Sequence, residues 1–201
     1  MLLSMIFSSI AQIILFSLIP FIFWAITSRK KMSFLSYIGI KKIDKTKRKD
    51  TFIFSTITLL FFLVLTVYIL YITKGIETAT SKFFGLGVKG LLPVLVYASL
   101  NTALPEEILF RGFLLKMVSN RFGFVCGNIV QSILFGLMHG ILFFSILELI
   151  KTILVILFTG GVAFTMGYIN EKKANGSIIP SFVIHIIANL VSYVISLFSL
   201  I

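Results

Sequence analysis

Glu106 and Glu107 stand side by side in an apolar chain, within the segment Pro105-Glu106-Glu107-Ile108-Leu109-Phe110-Arg111. A charge at membrane depth costs about 2.5 to 3.5 kcal/mol on insertion scales, so an intramembrane carboxylate marks a functional site by default. On a helix Glu107 and Arg111 are four residues apart and pair, whereas Glu106 points about 100° away and is left free. Pro105 suits the first turn of such a helix, and the helix dipole favours acidic residues there by about 0.3 to 1 kcal/mol. The chain has two histidines, His139 and His185, both deep in apolar segments. His139 shares a helical face with Phe135, Gln131 and Asn128, and His185 shares one with Ser181 and Asn189. Two histidines, a carboxyl pair and an asparagine are best explained as one water-filled site inside a bundle. A partly desolvated carboxylate such as Glu106 is a suitable base for deprotonating water. His185 and Asn189, one helical turn apart, offer two donors to an oxyanion from a single rigid element, while Arg111 holds Glu107 and so orients its helix.

The elements that position these residues follow from composition. With 201 residues, 58% hydrophobic and 12% charged, the chain reads as an all-α polytopic membrane protein with no room for a separate soluble domain. Residues 1–201 form a single integral membrane domain, with amino-terminal spans in 1–83 and the catalytic core in 84–201. Runs of about 20 apolar residues predict six spans: Leu2 to Ile26, Thr51 to Thr73, Phe84 to Leu104, Phe122 to Phe144, Ile146 to Ile169 and Ile179 to Leu200. A short helix, Pro105 to Val118, carries the glutamates. The first run lacks the basic start and cleavage site of a signal peptide and is read as a retained span. Of the eighteen Lys and Arg residues behind the net charge of +11, nine lie between Arg29 and Lys49, directly after an apolar run. That is the signal of a cytoplasmic loop, suited to anionic membrane lipids and not to nucleic acid. Lys116 with Arg121, and Lys172 with Lys173, mark two more cytoplasmic segments, so an odd number of crossings separates Phe84 from Val118. The Pro105 to Val118 helix is therefore expected to be re-entrant or to lie near the cytoplasmic face. Asp44, Asp50, Glu77 and Glu171 fall in polar loops, Glu148 being the exception among the remaining acids. The single cysteine, Cys126, excludes an intrachain disulfide.

Glu-Glu-x-x-x-Arg at 106 to 111, Phe-x-x-x-His at 135 to 139 and His-x-x-x-Asn at 185 to 189, in that order and inside membrane segments, resemble the CAAX prenyl protease and bacteriocin-processing family, known as CPBP or Abi. The resemblance implies a glutamate-type intramembrane endopeptidase that needs no cofactor. Glu106 and His139 would activate water, His185 and Asn189 would stabilise the oxyanion, and Glu107, Arg111 and Phe135 would support them. Some relatives act in immunity or in peptide maturation. The Lys-, Phe- and Ile-rich usage points to a bacterial plasma membrane, and hence to a peptide or protein precursor as substrate, with a pheromone or bacteriocin leader favoured over a prenylated protein.

Three other readings use the same side chains. A zinc protease would take His139, His185 and a glutamate as ligands with an open water position, although the tight His-Glu-x-x-His arrangement is missing. A serine enzyme would pair Ser181 with His185 but shows no third orienting acid. A non-catalytic immunity protein or a proton-coupled transporter would use the buried ionisable groups without hydrolysis, and no internal repeat speaks for a transporter.

Overall fold

A chain that crosses lipid must satisfy its backbone polar groups internally, which an apolar run of this length does by forming a helix. The computed structural model describes residues 2–76 and 78–200, and among them every regular element is helical. Six helices are long and apolar enough to cross a membrane: α1 (Leu2–Thr27), α2 (Lys45–Ile72), α3 (Gly87–Phe122), α4 (Phe124–Phe143), α5 (Leu149–Lys173) and α6 (Ile179–Leu197). The chain is an integral membrane protein, and five of the six spans lie within a turn or two of their expected limits.

The exception is α3. The span Phe84 to Leu104 and the separate motif helix Pro105 to Val118 are in fact one continuous helix of 36 residues. At the usual rise per residue it is roughly 50 Å long, more than the ~30 Å hydrocarbon core. The motif segment is thus neither re-entrant nor a surface helix, and Pro105 does not start a new element. Pro105 has no N–H for the carbonyl of Asn101, four residues back, which would break an α-helix. A π-helical stretch, Tyr97–Ala103, precedes the three residues Leu104–Glu106, and a second, Glu107–Leu114, follows them. In that register each carbonyl bonds to the N–H five residues on, so the helix runs through the proline. A single crossing by α3 keeps the odd parity that the basic segments require.

Those basic segments meet at one end of the bundle. Lys116 donates to Glu171 at 2.9 Å and to the Gly176 carbonyl at 2.7 Å, Lys173 lies 3.5 Å from Asp50, and Ser177 donates to the Lys41 carbonyl. Asp50 and Glu171, expected to be solvated in loops, are therefore in ion pairs. Glu148 stands exposed at the start of α5, 3.5 Å from Lys151, and takes no part in the site. Glu77 lies outside the described residues.

Helix α6 is packed against α2, α3 and α5, so the side chains of His185 and Asn189 point among three neighbours. Helices α4 and α5 form a close hairpin: a Cβ on Gly136 would sit 2.5 Å from the Ile156 carbonyl, and one on Gly160 3.2 Å from that of Ser132. Small residues let membrane helices approach in this way, and interhelical side-chain hydrogen bonds then add hold. Asn128 and Gln131 supply them, donating to the carbonyls of Phe164 and Ala163 at 3.0 Å each. Helix α1 lies outside this group against α3, with only Ser9 and Pro20 buried.

Candidate active site

The acidic pair divides as the helical spacing predicts, and the division is sharper than the spacing shows. Glu107 and Arg111 are fully buried and 3.1 Å apart. Glu107 is also the hub of a wider network. Its Oε1 is 3.1 Å from His185 Nδ1, and its Oε2 accepts from the hydroxyl of Ser181, which in turn accepts from Asn170 Nδ2 at 2.6 Å. A buried charge is tolerable when it has donors and a counter-charge, and here His185 and Ser181 are the hydrogen-bonding partners and the Arg111 guanidinium is the counter-charge. The Glu107 carboxylate therefore reaches beyond its helix and orients His185 on α6.

A carboxylate accepts and does not donate, so the proton on His185 Nδ1 points at Glu107 and the other nitrogen is left for chemistry. That nitrogen, Nε2, is 3.8 Å from Glu106 Oε2. Glu106 keeps 17% of its side chain exposed, and its Oε2 has no hydrogen-bond partner. An unpaired buried oxygen is rare in folded proteins and calls for an explanation. Two adjacent glutamates thus flank one imidazole, one saturated and one with an oxygen to spare.

Phe135 holds the centre of the site. It is 3% exposed, stacks at 4.4 Å between ring centres on His139, stands edge-on to His185 at 6.2 Å and meets Phe110 at 5.1 Å. The Arg111 guanidinium lies 4.2 Å from the centre of its ring, a cation–π contact that matters more for being dry. The i,i+4 spacing of Phe-x-x-x-His places both rings on one face of α4, and His139 Nδ1 is turned to the Phe135 carbonyl at 2.9 Å. Its Nε2 is the nitrogen that remains.

His139, His185, Asn189 and Phe135 line one cavity of about 180 Å³, walled by α2, α4, α5 and α6. The structure therefore brings His139, His185 and Asn189 together and sets Glu106 against the same histidine. It does not bring in the rest of the predicted His139 stripe, because Asn128 and Gln131 turn to α5 and act in packing. Ser181 shares a face with His185 but is fully buried and bonded to Glu107, so it is no nucleophile. Asn189 donates to Thr102 on α3 at 2.8 Å, and Thr102 to the Ala98 carbonyl at 2.9 Å. Thr102 and Asn170 were not anticipated. Their signal was the bare presence of a polar side chain inside an apolar run, which they share with residues that merely pack. Among the described residues no three His, Cys, Asp or Glu side chains gather as a metal site.

The arrangement sets two ring nitrogens and an amide around a small cavity inside the bundle, with a carboxylate oxygen 3.8 Å from one of those nitrogens. A comparison with known families agrees with this geometry: residues 88–191, from the first turn of α3 past Asn189, match the model of the type II CAAX prenyl endopeptidase Rce1-like family. No curated protein and no solved structure matches the chain. The match covers more than half of the chain and takes in the glutamates, both histidines and the asparagine, so the chain belongs to the Rce1-like family of CAAX-protease-type intramembrane endopeptidases.

Proposed function

We propose that the protein cleaves a peptide or membrane-associated protein precursor within the bilayer by metal-free hydrolysis, with Glu106 and His139 activating water. The observation that carries this reading is the unpaired Oε2 of Glu106 beside His185, next to a Glu107 whose two oxygens are both engaged. In the proposed step a water oxygen attacks the scissile carbonyl carbon and its proton passes to Glu106 Oε2, with the Nε2 of His139 ordering the water. The carbonyl oxygen becomes the oxyanion and takes hydrogen bonds from His185 Nε2–H and from the Asn189 amide hydrogen that Thr102 leaves free. This role requires His185 to carry a proton on both nitrogens. Collapse of the tetrahedral intermediate breaks the C–N bond, and the proton held by Glu106 leaves with the amine.

Every motif residue then has a task. Phe135 and Arg111 fix the positions of His139 and Glu107, and Glu107 fixes His185. The cavity has room for several waters, and its polar groups give them partners. A zinc enzyme is less well supported, since the two histidines and Glu106 do not gather as a ligand set.

The test compares the peptides that accumulate in a deletion strain with those in a strain carrying Glu106→Gln. The same uncleaved precursors are expected in both, and the purified protein should cleave them after prolonged chelation. Precursors processed normally by Glu106→Gln would overturn the role of Glu106. Activity lost to the chelator and restored by zinc alone would replace the mechanism with that of a metalloprotease. An identical peptide pool in all strains, with altered sensitivity to a bacteriocin, would make the chain an immunity protein.

A further inference from the structure

Toward the basic end of the bundle the seam between α2 and α6 opens outward. Phe52, Thr56 and Leu59 of α2 face Pro180, Val183 and Ile187 of α6 across a cavity of about 460 Å³. Through Ile43, Arg48 and Ile179 it continues into a second cavity of about 430 Å³, whose wall carries Lys41 and Lys42. From Arg48 to Leu59 the helix rises roughly 16 Å, about one leaflet of a ~30 Å hydrocarbon core. The groove is thus apolar along its length and cationic at its mouth, at the depth where a leaflet ends.

The mouth has charge to spare. Among the described residues Lys41, Lys42 and Arg48 are in no ion pair. Asp44 lies within electrostatic reach of Arg48, but its Oδ1 accepts from both the backbone and the hydroxyl of Thr46, and Asp50 is paired with Lys173. The groove wall, by contrast, offers hydrocarbon and almost no hydrogen bonding. The Thr51 hydroxyl is taken by the carbonyls of Lys47 and Lys173 and that of Thr56 by Phe52, while the Ser55 oxygen is unpaired but covered. An extended peptide laid there would leave its own N–H and C=O groups unpaired, which lipid depth penalises heavily. An acyl chain has no such groups.

We propose that this groove is a binding site for an anionic phospholipid, with one acyl chain between α2 and α6 and the phosphate held by Lys41, Lys42 and Arg48. The site is separate from the catalytic cavity and does not depend on the proposed mechanism. Its occupant is a lipid of the surrounding bilayer and not the substrate.

The experiment uses the full chain purified in detergent. Lipid retention is read by native mass spectrometry and thermal midpoint for phosphatidylglycerol, for phosphatidylcholine with the same acyl chains and for glycerol phosphate as the headgroup alone. Phosphatidylglycerol should be retained and raise the midpoint, because a ligand that binds only the folded state stabilises it; the other two should do neither. Each cation removed should weaken retention about fivefold, so Lys42→Gln with Arg48→Gln lowers it by more than tenfold. Val183→Trp, which fills the groove and leaves every charge in place, should abolish retention, and Val183→Phe serves if the larger ring impairs folding. Equal retention of phosphatidylcholine and phosphatidylglycerol by the wild-type chain would overturn the proposal. So would stabilisation by glycerol phosphate alone, or phosphatidylglycerol retention undiminished in the groove-filling variants, since both would reduce the site to an exposed basic patch.

Discussion

Helices α1 and α6 are both apolar single spans, yet their polar side chains behave in opposite ways. In α1 the hydroxyls of Ser9 and Thr27 bond back to carbonyls of their own helix, those of Met5 and Phe23. In α6 the polar groups look outward: Ser181 and His185 to Glu107, Asn189 to Thr102, and Ser196 to the Thr80 carbonyl. A hydroxyl that satisfies itself on its own helix carries little structural information. One that needs a partner on another helix fixes a register, and removing it leaves that partner unpaired in a medium without water. The site is built where the outward kind is densest.

The largest expected effect breaks the apparent equivalence of the two glutamates. Glu106→Gln should lower cleavage by roughly 10²- to 10⁴-fold, the usual worth of a general base, with an unchanged thermal midpoint in detergent. Glu107→Gln should act mainly on the fold. It leaves the Arg111 guanidinium without its counter-charge at a fully buried position, a change of the kind that costs about 3 to 5 kcal/mol. A stable, inactive Glu107→Gln protein beside an unstable Glu106→Gln protein would reverse the assignments.

Next in size is the asparagine. Asn189→Ala should slow cleavage by roughly 10²- to 10³-fold, as for the loss of one oxyanion donor. Thr102→Val removes the hydroxyl that accepts from Asn189 and leaves the amide in place but free to rotate. An effect of about tenfold on kcat with little change in KM is expected, because positioning errors fall on the transition state. Thr102→Ser keeps the acceptor and should restore the rate. A Thr102→Val protein as slow as Asn189→Ala would place the hydroxyl in contact with substrate.

How far the site could be read from the sequence follows from the same contrast. Pairs within one helix were legible, since Glu107 with Arg111 and Phe135 with His139 depend only on helical spacing. The paired use of His185 was not, because the partner of Nδ1 lies 78 residues away on α3. Spacing placed Ser181 and Asn189 on the face of His185, yet they reach α3 at different levels, Glu107 and Thr102. The fold class and the six spans followed from apolar run length. The single helix α3 did not, because a proline after a span normally reads as a boundary; only the π register lets the chain continue through Pro105.

The smallest expected effects test the comparison where it is weakest, at the contact between α1 and the helix that carries the glutamates. Asn101, on the π-helical stretch of α3 just ahead of Pro105, donates to Ser8 of α1 at 3.0 Å, and its side chain is buried. Ser8 is therefore of the outward kind, one residue before Ser9, which is bonded to its own helix. Ser8→Ala should cost about 0.6 kcal/mol, the average for interhelical hydrogen bonds in membrane bundles, read as a lowered midpoint of unfolding in detergent. Ser9→Ala should cost less, since the carbonyl of Met5 keeps its backbone partner. Ile14→Ala, at a position 61% exposed to the lipid face, should fall within about 0.5 kcal/mol of the parent. The order Ser8, Ser9, Ile14 follows only if bonding direction, and not polarity or size, decides what a side chain contributes in lipid. Equal costs at Ser8 and Ser9 would mean that α1 is held by general packing against α3, and that the contrast between α1 and α6 lies in burial alone.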